Sequence, residues 1–398
     1  MSRHHKIVII GGGSAGLTVA ARLRRAGETD VAVVEPAMTH YYQPLWTLVG
    51  GGAAPVEESA RPMASVMPHG VTWLTDAAAE VDPDAGEVTL AGGETVRYDH
   101  LVVCPGIQLD WGKIPGLDET LGRDGVSSNY RYELAPATWR FIRETRSGTA
   151  VFGMPSGPIK CAGAPQKIAY LAADHWRRQG VLEDIDVHLV LPTPGMFGVK
   201  VFCDALERVV DDYGITVHFT SEVTAVDAAH REATVTDVTT RETTTLPYDV
   251  MHLAPPQSAP DWIKKGPLAD AENPHGYVEI DKHTMRHVRY GNVFSLGDAG
   301  SSPNSKTGAA IRKQAPVLVE NLRAVMAGRE PTARYEGYSS CPFTTSQSEM
   351  LLAEFDYSLT PKPSFPFIDT TRPRRDMWYL KRYGLPFLYW NLMLRGLA

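Results

Sequence analysis

The stretch from Ile7 to Glu35 constrains this chain's fold more than any other. An apolar run, Ile7-Val8-Ile9-Ile10, leads into Gly11-Gly12-Gly13-Ser14-Ala15-Gly16, which fits G-x-G-x-x-G. A helical stretch from Leu17 to Arg25 follows, and a second apolar run, Val31-Ala32-Val33-Val34, ends in Glu35. Each part has a reason in a βαβ unit that holds a dinucleotide. Gly11 permits the tight turn, Gly13 lets the backbone approach a pyrophosphate, and Gly16 allows close packing of helix on strand. The N-terminus of the helix offers free N–H groups to the phosphates, and Ser14 and Ala15 of the turn join the cofactor residues. Glu35, at the end of the second strand, accepts hydrogen bonds from a ribose diol and disfavours a 2′-phosphate.

Length and charge narrow the rest. The 398 residues suit two or three domains. A formal charge of −7 argues against nucleic acid as the main partner, which favours a basic face. The apolar run after Lys6 is too short for a signal sequence, so a reducing compartment, most simply a cytoplasm, is expected. Cys104, Cys161, Cys203 and Cys341 are too few and too scattered for a secreted disulfide scaffold. No C-x-x-C or H-E-x-x-H occurs, so no structural metal is expected.

A second βαβ order begins at Thr149–Gly153, with a helix over Ala164–Arg178, a strand over Ile185–Pro192 and a helix over Val199–Tyr213. Its turn reads Gly153-Met154-Pro155-Ser156-Gly157-Pro158, where two prolines remove backbone donors. Leu191 stands at the place equivalent to Glu35 and cannot hold a ribose. This unit is expected not to bind NADH.

Gly291-Asn292-Val293-Phe294-Ser295-Leu296-Gly297-Asp298-Ala299 resembles the G-x-V-[FY]-x-x-G-D element of flavoproteins with two dinucleotide domains. That resemblance implies non-covalent FAD, with Gly297 and Asp298 near its ribityl chain. His40-Tyr41-Tyr42-Gln43-Pro44-Leu45-Trp46, Pro158 to Lys167, Pro255-Pro256 and Ser305-Lys306-Thr307 are similar to the type II sulfide:quinone oxidoreductases. The similarity runs from Lys6 to about Arg382. It implies an α/β fold of two Rossmann-like dinucleotide-binding domains, disulfide-reductase-like, plus a C-terminal membrane-associating region. Gln43, Lys306, Gly308 and Ala309 join the cofactor residues by the same resemblance.

In that family the redox-active cysteines match Cys161 and Cys341, which are widely separated in the chain. Cys161 precedes a helix, and both the helix N-terminus and the neighbouring Lys160 favour a thiolate. Cys203 sits in a helical pattern and reads as a packing residue. The implied reaction oxidises hydrosulfide to a cysteine persulfide and sends two electrons through FAD to a quinone. Sulfite, a small thiol or more sulfide takes the sulfur. Cys341 is the flavin-proximal thiol in this reading and Cys161 the sulfur carrier; Lys306 and Lys313 are candidates to stabilise reduced flavin. An NADH:quinone oxidoreductase and a flavin-binding redox sensor without turnover are the competing readings.

The chain's final segment holds Arg372, Arg374, Arg375, Lys381, Arg382 and Arg395 against Asp376, interleaved with Trp and Tyr. A helix over Pro386–Leu397 would span about 18 Å, too short for a roughly 30 Å hydrocarbon core. It is expected to lie in a membrane interface, giving a peripheral (monotopic) protein on the cytoplasmic face, with a homo-oligomer left open. The expected domains are 1–112 with 285–335 for FAD, 113–284 for the second Rossmann-like unit, and 336–398 for the C-terminal region.

Overall fold

The computed structural model describes residues 3–398. Ile7–Ile10 and Val31–Val34 are buried without interruption, the pattern of strands covered on both faces. Strands Thr72–Leu74, Val31–Val34, Arg3–Ile10 and Thr95–Val103 lie side by side in parallel. Thr95–Val103 does double duty. Its first residues carry an antiparallel hairpin, and its last three pair in parallel with the distant strand Val293–Ser295. Helix Ser14–Arg25 starts three residues earlier than expected and packs on helix Gly308–Met326.

A second, wholly parallel sheet runs in the order Val126–Ser127, Val250–Leu253, Gly148–Gly153, Ile185–Val190, Thr216–His218. The Thr-rich stretch that follows forms a separate antiparallel sheet. Helix Ala164–Gln179 covers the parallel sheet, with Pro165 in its first turn, where no N–H is missed. A C-terminal hairpin, Ser339–Thr344 with Met350–Phe355, packs into the same core and sets Cys341 opposite Ala353.

The C-terminal segment departs from the single helix expected. It runs as an α-helix over Arg375–Tyr379, a π-turn over Leu380–Gly384, an α-helix over Leu385–Asn391 and a short turn over Met393–Arg395. Pro386 has no N–H for Arg382 and crowds its carbonyl, so the turn before it loosens. The widened turn re-phases the segment. Tyr379, Tyr383 and Phe387 are 57%, 57% and 62% exposed, while Tyr389, Trp390 and Met393 bury into the first core. Lys381, expected at lipid headgroups, is instead buried and donates to the Pro44 carbonyl at 2.9 Å. Arg372, Arg374 and Arg382 are paired with Asp369, Asp376 and Glu58. No described helix is long and apolar enough to cross a membrane.

Candidate active site

The first turn is shaped by what surrounds each glycine. Gly11 has φ +102°, and a Cβ there would collide with the Cys104 carbonyl. A Cβ on Gly16 would collide with the Gly11 carbonyl. Gly13 differs: it is exposed, and a Cβ there meets nothing within 4 Å. That open side, at the carboxyl ends of the strands and the start of helix Ser14–Arg25, fits a pyrophosphate. Glu35 accepts from the Gly12 and Ala37 N–H groups, both at 2.7 Å, which fixes its carboxylate beside the turn. Cys104 packs against this turn as a buried thiol, pushed up by burial.

Gly297, at φ +69°, would bring a Cβ to 3.4 Å from that of Ala15, so the two glycine elements abut. Its N–H is held by the buried side chain of Gln314 at 2.9 Å, a partner that no motif pointed to. Thr307 caps the next helix by accepting from Ala310 N–H at 3.2 Å, and this leaves Gly308 and Ala309 in its first turn. Asp298 is held above the ordinary carboxylate range by burial, against the pull of Lys306 and Lys160. Lys306 is buried and donates to the carbonyls of Asp298 and Gly300 at 2.7 and 3.0 Å; burial pushes its pKa down to about 8. Lys313 is exposed and stands 5.7 Å from the Tyr338 ring, away from this group of contacts.

The Cys161 loop is stitched to the same element. Cys161 N–H donates to the Lys306 carbonyl at 2.9 Å, and Tyr130 hydroxyl donates to the Lys160 carbonyl at 3.1 Å. Lys160 donates to Gln43 Oε1 at 2.6 Å rather than to sulfur, and burial lowers its pKa to about 8. The thiolate neighbour expected in Lys160 is therefore Lys167. Its Nζ lies 3.0 Å from Cys161 Sγ, one turn into the following helix.

Cys161 and Cys341 are free thiols that share a hydrogen bond. The bond from Cys341, and then the Lys167 ammonium, hold Cys161 well below an ordinary thiol, with a smaller pull from Lys381. The adjacent Cys161 sulfur and burial push Cys341 well above one. Cys161 has φ +55°, rare for a side-chain-bearing residue. Gly163 makes the approach possible, because a Cβ there would collide with the Phe343 ring. The two cysteines sit in different surroundings. Cys161 adjoins the Asp298–Lys306 element, whereas Cys341 is wholly buried in the core under the second sheet. Cys203 stands apart, beside Glu207.

Residues 5–315 match the family model described as pyridine nucleotide-disulphide oxidoreductase. The chain is 39% identical over 396 residues to the mitochondrial sulfide:quinone oxidoreductase of Mus musculus, covering 99% of this chain and 87% of that one. It is 40% identical over 394 residues to the mitochondrial sulfide:quinone oxidoreductase of Dictyostelium discoideum, covering 98% and 86%. This chain belongs to the sulfide:quinone oxidoreductase family. The fold agrees: the X-ray structure of the sulfide:quinone oxidoreductase from Aquifex aeolicus matches with a TM-score of 0.83 at 19% identity, covering 99% of this chain and 92% of that one. In the second turn Ser156 N–H donates to the Glu222 carboxylate at 2.7 Å.

Proposed function

We propose that the chain oxidises hydrosulfide at Cys161 and Cys341 and passes the electron pair through FAD to a quinone. The observation that supports this most is the meeting of two cysteines from distant parts of the chain beside the Lys167 ammonium. In the oxidised enzyme the two sulfurs form a disulfide. Hydrosulfide attacks one of them, a new S–S bond forms, and the other cysteine leaves as thiolate with the electron pair of the broken bond. The better leaving group is the thiol of lower pKa. Lys167 Nζ, 3.0 Å from Cys161 Sγ, favours the thiolate there, so attack falls on Cys341, which becomes the persulfide carrier. A nucleophile such as sulfite, a small thiol or a second hydrosulfide then takes the outer sulfur and leaves Cys341 as thiolate. Both electrons from sulfide now reside on the two thiolates.

FAD, when bound, would supply the two-electron relay between the thiolate pair, left as a disulfide, and quinone. Gly11, Gly13, Ser14, Ala15 and Gly16 would hold its pyrophosphate and Glu35 its ribose. Gly297, Asp298, Gly308 and Ala309 would hold the remainder, with Gln43 and Lys306 at the border with the cysteines. The exposed stripe of Tyr379, Tyr383 and Phe387 suits an interfacial anchor, which brings the protein to a lipid-dissolved acceptor.

The deciding experiment adds sulfide anaerobically to the flavin-loaded protein, follows flavin absorbance, and then supplies a short-chain quinone. Sulfide is expected to bleach the flavin and quinone to restore it, with NADH producing no bleaching. Cys161→Ala and Cys341→Ala are each expected to abolish turnover with flavin retained. Near-normal rates in both variants would overturn the mechanism.

A further inference from the structure

We propose that a cavity beside the C-terminal segment binds the phosphate of an anionic phospholipid headgroup. The proposal deepens the membrane reading above and rests on it. The cavity has a volume of about 410 Å³, within the roughly 300–1,000 Å³ range of small-molecule sites. Arg24, Arg25, Arg61, Arg395 and His69 line it, and no carboxylate does. Arg61 sits over the Trp390 ring, its guanidinium carbon 4.2 Å from the centroid. Stacking of this kind orients a planar cation and leaves its in-plane N–H donors free for an oxyanion.

Like charges converging without a counter-charge repel one another, and that cost is relieved when an anion enters. Most other cations of the C-terminal segment are already spent: Arg372, Arg374 and Arg382 on carboxylates, Lys381 on a backbone carbonyl. Arg24 donates to the carbonyls of His69 and Glu28. Arg25, Arg61 and Arg395 are exposed and enter no ion pair among the described residues. The cluster therefore presents three uncommitted guanidinium groups around one opening.

Its position selects the source of the anion. Trp390, Leu394 and Arg395 of the cavity wall continue the segment that exposes Tyr379, Tyr383 and Phe387. Phe387 precedes Arg395 by two helical turns, about 12 Å along an ideal helix. A headgroup phosphate held by the arginines would keep its acyl chains near the aromatic stripe. A soluble phosphate gains nothing from that neighbourhood.

The test compares flotation of the flavin-loaded full chain with phosphatidylcholine vesicles and with phosphatidylcholine–phosphatidylglycerol vesicles at one ionic strength. Wild type is expected to bind both and to prefer the anionic ones. Arg61→Gln/Arg395→Gln is expected to bind phosphatidylcholine unchanged and to lose about thirtyfold in affinity for anionic vesicles. That factor corresponds to about 1 kcal/mol for each of two cations near a charged surface. Arg123→Gln/Arg329→Gln, carrying the same charge change elsewhere, is expected to keep the preference. The site is overturned if both double variants behave alike, or if wild type shows no preference. The lipid assignment is overturned if inorganic phosphate raises wild-type Tm and not that of Arg61→Gln/Arg395→Gln while vesicle binding is the same for both. Failure of every variant to float with any vesicle would instead refute the membrane reading itself.

Discussion

Lys167 is the residue on which the proposed chemistry turns. Its ammonium sits 3.0 Å from Cys161 Sγ, and a neighbouring opposite charge lowers a pKa by about 1–3 units. Lys167→Met is expected to raise the pH midpoint of Cys161 alkylation by at least about 1 unit in the reduced protein, and to slow sulfide-dependent flavin reduction at neutral pH. Lys381 offers a test through stability. Burial, with Lys167 nearby, drops its pKa from 10.5 to about 7. Between those values the unfolded chain binds the extra proton, so stability rises with pH across that window. In Lys381→Met the rise in Tm across that window is expected to flatten, and an unchanged slope would refute the burial of that ammonium. The glycine turn and Glu35 were legible in sequence because each obeys a local rule over a few residues. Lys167 was not, since crediting Lys160 assumed that the nearest residue in the chain is the nearest in space. The left-handed backbone at Cys161 turns the loop so that Lys160 reaches Gln43 and Lys167 reaches sulfur.

At the level of elements, the contact between the Cys161 loop and the C-terminal hairpin passes through Gly163 and Phe343. A methyl group at Gly163 would collide with that ring, and overpacking of this kind costs roughly 1–3 kcal/mol. Gly163→Ala is expected to retain flavin while separating the sulfurs, seen as slowed disulfide formation after reduction. The C-terminal segment is joined to the glycine turn by one hydroxyl. Tyr389 bonds to Ser14 Oγ at 2.7 Å and to His40 Nε2 at 2.5 Å, and burial drops the His40 pKa to about 4. Tyr389→Phe removes both bonds, at about 1 kcal/mol each. It is expected to lower Tm and weaken flavin retention together. Sequence reasoning found the basic aromatic tail but read it as one outward-facing helix. It had no means to see that Pro386 opens a π-turn, which turns Lys381, Tyr389 and Trp390 inward and leaves only a narrow aromatic stripe outside.

For the whole molecule, the parallel strands of two sheets lead into the glycine turn and the Cys161 loop, and the C-terminal hairpin returns from far along the chain to complete the candidate site. The order of strands and helices was readable because uninterrupted apolar runs and glycine turns mark parallel βαβ units. The pairing of Val293–Ser295 with Thr95–Val103 was not legible, since strand neighbours distant in sequence carry no local signature. Which cysteine carries the sulfur is proposed in the opposite sense to the one the resemblance implies, because polarity depends on the charges each sulfur meets in space. Flavin is expected to couple the parts: saturating the apoprotein at about 100 times its dissociation constant adds about 2.7 kcal/mol, and a Tm independent of added FAD would contradict a specific site.

The most direct test of the central claim is peptide mapping after one equivalent of sulfide is added anaerobically to the oxidised protein, followed by an alkylating trap. One additional sulfur on the Cys341 peptide, with Cys161 trapped as a plain thiol, is the predicted outcome. Sulfur found on neither cysteine, with the flavin nonetheless reduced, would contradict the account.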